Sequence, residues 1–82
     1  MTWSPEFEKI LQRNLPLSRG PVLADVSLSA LGLDSLATVS LVMDLEDNLN
    51  ISIPDSSLIP ETFETAAALW RVVADLVEGS VT

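Results

Sequence analysis

The sequence contains no cysteine and no histidine among its 82 residues. Without cysteine the chain can form no disulfide bond, no thiol nucleophile and no thiolate metal site. Without histidine it lacks the commonest general base and the commonest neutral metal ligand. We therefore expect neither an enzyme nor a metalloprotein.

Basic residues are also scarce, since 4 lysines and arginines stand against 12 acids and the formal net charge is -8. A nucleic-acid backbone needs a basic face, so nucleic-acid binding is not expected. Anionic membrane surfaces are disfavoured for the same reason. Such a charge suits a protein that meets basic partner proteins.

Long apolar runs are missing as well. No stretch approaches the ~20 residues that a membrane-spanning helix needs, and the start of the chain lacks the basic and apolar regions of a signal peptide. We expect a monomer in the cytoplasm. The length suits one domain, and neither a repeat nor a linker interrupts it. We therefore expect residues 1–82 to form one free-standing domain.

What the sequence does contain is aliphatic periodicity, with 48% hydrophobic residues. Apolar spacing predicts three longer helices, over residues 5–15, 34–48 and 66–78. Their predicted N-caps are Ser4, Asp34 and Thr65. Pro16 should stop the first helix and Gly79 the last.

The segments between these helices predict less regular structure. Residues 16–33 form a long connection that carries apolar side chains, so we expect a packed crossover with a helical turn near residues 29–31. A short helix or turn is expected in residues 56–63, interrupted by Pro60. The predicted fold is an all-α, small four-helix bundle with three longer helices, one short helix and a long first loop.

The second helix carries more apolar residues than one face needs. A turn of about 100° per residue places Leu41, Val42, Leu45 and Leu49 on a core face. Leu36, Val39 and Met43 form a second stripe, bordered by Asp44 and Asp47 on one side and Glu46 on the other. One interpretation is a docking surface for basic partners. The alternative is a central helix that buries both stripes.

Ser35 is predicted at the first position of this helix, directly after Asp34. A phosphate ester there would lie at the positive end of the helix dipole. The plainer interpretation is a helix cap or an ordinary exposed serine. A catalytic serine is the third, but only Lys9 or a carboxylate could serve as its base, and the flanking glycines of a hydrolase elbow are absent.

The segment Leu31-Gly32-Leu33-Asp34-Ser35-Leu36, followed by Val39, Leu41, Val42, Leu45 and Glu46, resembles the acyl and peptidyl carrier proteins. The resemblance continues through residues 53–55 and 63–65. It implies that Ser35 carries 4′-phosphopantetheine, transferred from coenzyme A by a phosphopantetheinyl transferase. The thiol of this arm would hold an acyl or aminoacyl group as a thioester. Contacts with loading and transferring enzymes would fall to Asp34, Leu36, Val39, Met43 and Glu46.

Two departures narrow the expected pathway. Ala37 and Ser40 stand where fatty-acid carriers often have acids. We therefore expect a discrete carrier of specialised metabolism, of polyketide or nonribosomal peptide type, or of aminoacyl transfer. Fatty-acid synthesis carriers and D-alanyl carriers remain alternatives. An unmodified helical module that binds a partner helix is the alternative of another class.

Overall fold

The computed structural model describes residues 3–79. Three α-helices form within this range: α1 Pro5–Asn14, α2 Ser35–Leu49 and α3 Ala66–Gly79. Three short 3₁₀ segments connect them: Ser29–Leu31, Asp55–Ser57 and Pro60–Phe63. No strand forms within residues 3–79, where an isolated antiparallel bridge joins Ser27 to Thr65. The predicted helical bundle is confirmed.

The helix starts lie where the capping residues predict them. Ser4, Asp34 and Thr65 each accept a hydrogen bond from a backbone N–H in the first turn. The donors are Phe7 at 3.3 Å, Ala37 at 2.8 Å and Ala68 at 3.1 Å. Each cap supplies an acceptor for an N–H group that has no partner within its own helix.

The expected short helix in residues 56–63 takes the form of two 3₁₀ segments. Asp55–Ser57 forms the first, and Pro60 begins the second. Proline suits the start of a helical segment because its ring fixes φ and its missing N–H is not needed there. The predicted turn near residues 29–31 is likewise a 3₁₀ segment.

The core lies between the three α-helices. Its largest fully buried side chains are Phe7, Ile10, Leu11, Leu15, Leu28, Leu41, Leu45, Leu69 and Val73. Leu28 and the buried Val22 belong to the long connection, which is therefore packed as predicted. Backbone hydrogen bonds from Leu28 to Glu64 and from Ala67 to Ala24 fasten this connection beside the start of α3.

Glu8 on α1 also holds the connection in place. Its carboxylate accepts hydrogen bonds from the Trp3 indole at 2.7 Å, the Gln12 amide at 2.6 Å and the Val22 N–H at 2.9 Å. Burial opposes the charged form, but these three donors outweigh it and lower the pKa of Glu8. None of the helices in residues 3–79 is both long and apolar enough to cross a membrane.

Candidate functional site: a serine and an exposed apolar strip

Ser35 is the first residue of α2 and is exposed to solvent. The preceding Asp34 caps the helix through both its side chain and its backbone. Its carboxylate accepts from the Ala37 N–H at 2.8 Å, and its backbone carbonyl accepts from the Thr38 hydroxyl at 2.7 Å. Ser35 therefore lies on a capped helix end where the N–H groups that remain without a helical partner favour an anion.

The turn before Ser35 requires glycine. Gly32 has φ +98°, and a Cβ atom added to it would lie 2.8 Å from Cγ of Pro16. The Leu17 N–H donates to the Leu31 carbonyl at 3.0 Å, so the end of α1 and this turn lie against each other. The close approach fixes the direction from which the chain enters α2.

The second apolar stripe of α2 faces solvent. Leu36 is 83% exposed, Val39 58% and Met43 64%, whereas Leu41 and Leu45 on the core face are 0% exposed. The interpretation in which α2 buries both stripes is therefore wrong. We call Leu36, Val39 and Met43 the apolar strip. It begins one residue after Ser35, so a protein covering the strip would reach the serine.

A shallow groove lies on each side of the apolar strip. The first, of about 820 Å³, is lined by Leu36, Val39, Ser40, Met43, Asp44, Glu46, Asp47, Ile51 and Ser52. The second, of about 470 Å³, is lined by Thr38, Val39, Val42, Met43, Leu58, Ile59, Pro60 and Phe63. Val39 and Met43 belong to both grooves and form the ridge between them. This surface therefore consists of one apolar ridge with a groove on either side.

Glu46, which the resemblance places among the partner contacts, also has a role within the fold. It is partly buried, and its Oε2 accepts from the Ile53 N–H at 2.8 Å. Its backbone carbonyl accepts from the N–H groups of Asn50 and Ile51 as α2 ends. A contact between Glu46 and a partner stays a prediction.

Asp44 joins α2 to α1. Its Oδ1 accepts from Arg13 Nη2 at 2.8 Å and Asn48 Nδ2 at 2.6 Å, and its Oδ2 accepts from Arg13 Nε at 3.0 Å and Asn14 Nδ2 at 2.9 Å. Asn14 in turn accepts from the Ser40 hydroxyl at 2.8 Å. Burial opposes the charge of Asp44, but the hydrogen bonds and the charge of Arg13 prevail and lower the pKa of its carboxyl. Sequence periodicity did not reveal the contacts between α1 and α2 in this network, because their partners lie 26 to 31 positions apart.

Within residues 3–79, Ser35 is an exposed hydroxyl at a helix start. No base is hydrogen-bonded to the Ser35 side chain within residues 3–79, although a nucleophilic serine needs one. The same residues contain no group of three His, Cys, Asp or Glu that could hold a metal ion. An exposed hydroxyl at the N-terminus of a 15-residue helix does fit a phosphate ester. The fold and site thus define a small helical bundle that presents Ser35 at a helix start beside an apolar surface.

Comparison with known proteins supports this class. The family described as "Phosphopantetheine attachment site" matches residues 6–73. The chain belongs to this family of non-enzymatic carriers, whose prosthetic group is 4′-phosphopantetheine.

Two curated relatives are acyl carrier proteins. "Acyl carrier protein 4, chloroplastic" of Arabidopsis thaliana is 40% identical over 58 residues, which is 71% of this chain and 41% of that protein. "Acyl carrier protein homolog" of Ureaplasma parvum is 37% identical over 35 residues, covering 43% of this chain and 46% of that one. The matches thus span less than half the length of these relatives.

A solved structure with the same fold comes from a complex. One chain of the Bradyrhizobium japonicum glycine:[carrier protein] ligase complexed with glycylated carrier protein has a TM-score of 0.68 and 25% sequence identity. The match covers 84% of the present chain and 99% of that chain. The neighbour thus comes from a structure of a glycine:[carrier protein] ligase with a glycylated carrier protein.

Proposed function

We propose that Ser35 carries the 4′-phosphopantetheine arm and that the chain presents an acyl or aminoacyl group to partner enzymes. The observation that carries this proposal is the position of Ser35, exposed at the first position of α2 behind a hydrogen-bonded Asp34 cap. When bound, the arm supplies a terminal thiol, which holds the carried group as a thioester. This chain has no cysteine of its own for that chemistry.

The residues around Ser35 support the attachment of a phosphate ester. Ser35 lies within the matched residues 6–73. The N–H groups of the first helical turn would favour the ester's negative charge. Asp34 keeps that turn fixed through the Ala37 N–H. A phosphopantetheinyl transferase is the partner that would install the arm.

The same surface supports docking of enzymes. The apolar strip begins beside Ser35 and is more than half exposed at each residue. We propose that Leu36, Val39 and Met43 contact loading and transferring enzymes, with Asp34 and Glu46 at the edges. These partners would present apolar side chains with basic ones nearby.

We propose an aminoacyl cargo in preference to a long acyl chain. The structural neighbour was solved glycylated and with a glycine ligase, and Ala37 and Ser40 depart from the pattern of fatty-acid carriers. We propose that the chain serves specialised biosynthesis of the polyketide or nonribosomal peptide type, or aminoacyl transfer. The mass of the loaded carrier from its native host tests this, since a long-chain acyl increment would contradict it.

Attachment is tested with the apo-protein, coenzyme A and a broad-specificity phosphopantetheinyl transferase. Intact-protein mass spectrometry should show one phosphopantetheine on the wild type and none on Ser35→Ala. Ser56→Ala is a matched control, since Ser56 is also exposed but lies on a 3₁₀ segment, and it should be modified normally. A wild type that gains no mass, or a Ser35→Ala variant that gains it, would refute the assignment.

A further inference from the structure

We propose that Asp44 is masked by Arg13, so that a docking enzyme places its basic side chain against Asp47 and not against Asp44. The inference rests on the proposed docking role of the apolar strip and names the charge pattern that the partner must carry. Both carboxylates line the same groove beside the strip. The sequence does not distinguish the two aspartates as partner contacts, but the structure gives them different surroundings.

The acceptor sites of Asp44 are fully occupied. A carboxylate has about four lone-pair sites, two on each oxygen. Asp44 accepts four hydrogen bonds: two from Arg13, one from Asn14 and one from Asn48. A partner's lysine or arginine could bind this carboxylate only by displacing one of these donors.

Arg13 also cancels the charge of Asp44. The guanidinium forms a bidentate pair, with Nη2 at 2.8 Å and Nε at 3.0 Å from the two oxygens. Such paired contacts are among the strongest between side chains. The Arg13 side chain is 56% exposed while that of Asp44 is only 19% exposed, so more of the guanidinium than of the carboxylate faces solvent. Arg13 and Asp44 together therefore add no net charge to the groove beside the strip.

Asp47 has the opposite character. It is exposed, and its carboxylate has no hydrogen bond or ion pair within residues 3–79. It lies four residues after Met43, one helical turn further along the apolar strip. A partner that covers Met43 would bring a basic side chain within reach of Asp47 without disturbing the fold. The complementary surface is thus apolar over the strip, basic beyond Met43 and not basic towards α1.

The experiment measures KM for the apo-carrier in modification by a phosphopantetheinyl transferase, at low and high salt. Asp47→Asn should raise KM by about two- to five-fold at low salt, the range of an exposed ion pair, and this difference should shrink at high salt. Asp75→Asn is the matched control, because Asp75 is exposed on α3 and lines neither groove. It should leave KM unchanged.

Two further variants test the mask itself. Arg13→Gln should lower KM and steepen its salt dependence, because it uncovers the carboxylate of Asp44. The double variant Arg13→Gln/Asp44→Asn removes both charges and should return KM to the wild-type value. Circular dichroism should show that each variant is folded.

The inference is overturned if the double variant raises KM as much as Asp47→Asn, or if Asp47→Asn behaves like Asp75→Asn. Its failure is distinct from failure of the proposed function. If the wild type is modified but the KM values of the variants do not follow this pattern, only the masking of Asp44 by Arg13 is refuted. A wild type that is not modified at all refutes the carrier assignment on which it rests.

Discussion

Leu45 and Met43 lie two positions apart on α2 and should respond to truncation in opposite ways. Leu45 is 0% exposed, so Leu45→Ala removes three buried carbon atoms, worth about 2.4 kcal/mol at about 0.8 kcal/mol each. The cavity left behind adds to this, giving a loss of about 3–5 kcal/mol. Domains of this length have a total stability of about 4–12 kcal/mol, so the variant should lie near the limit of folding.

Met43→Ala is the matched comparison. Met43 is 64% exposed and its loss leaves no cavity, so the free energy of unfolding should change by less than about 0.5 kcal/mol. Urea unfolding followed by circular dichroism measures both values. In modification by a phosphopantetheinyl transferase, Met43→Ala should raise KM. Equal destabilisation by the two substitutions would refute the division of α2 into a core face and an exposed strip.

Three further outcomes follow from named contacts. Met43→Glu should slow loading by a partner enzyme while leaving the helical circular dichroism spectrum intact, and an unchanged loading rate would count against the docking surface. Gly32→Ala should cost more than about 1 kcal/mol in urea unfolding, from backbone strain and the approach to Pro16, and wild-type stability would contradict the turn geometry. The pKa of the Asp44 carboxyl is lower in the folded protein than its ordinary value of 3.8. The ionised carboxylate therefore stabilises the fold above pH 3.8, and this stabilisation is lost as the pH falls through the lower pKa of the folded state. The stability difference between the wild type and Asp44→Asn should therefore shrink in acid, and a difference that is constant or grows would oppose this account.

The helices and their starts could be predicted because they depend on local chemistry. A capping side chain bonds within three residues, as Asp34 does with Ala37, and apolar periodicity is counted over one turn. The same local signals predicted Ser35 at the first position of α2. The 3₁₀ character of residues 55–63 was harder to predict, because short turns and short helices share proline and serine signals.

The polar contacts between distant parts of the chain could not be predicted in this way. Arg13 and Asp44 are 31 positions apart, and Glu8 and Val22 are 14 apart. No periodic pattern relates such pairs, since their distance depends on how α1 is placed against α2 and against the long connection. The hydrogen bond between Glu46 and Ile53 could not be predicted either. The helical wheel indicated only that Glu46 lies at an edge of the strip, whereas this bond depends on the path of the chain after α2.

The exposure of the apolar strip is also a tertiary property, and it explains why α2 was ambiguous. A helix with apolar residues on two faces can lie at the centre of a bundle or at its edge, and the pattern is the same in both cases. In this fold only one face of α2 packs against the core, and Leu41 and Leu45 on that face are buried. No other helix covers Leu36, Val39 and Met43 within the described residues, so their apolar side chains are exposed to water. Packing within the fold does not explain this exposure. The strip begins at the residue after Ser35, and this position is why we propose that partner enzymes cover it in turn.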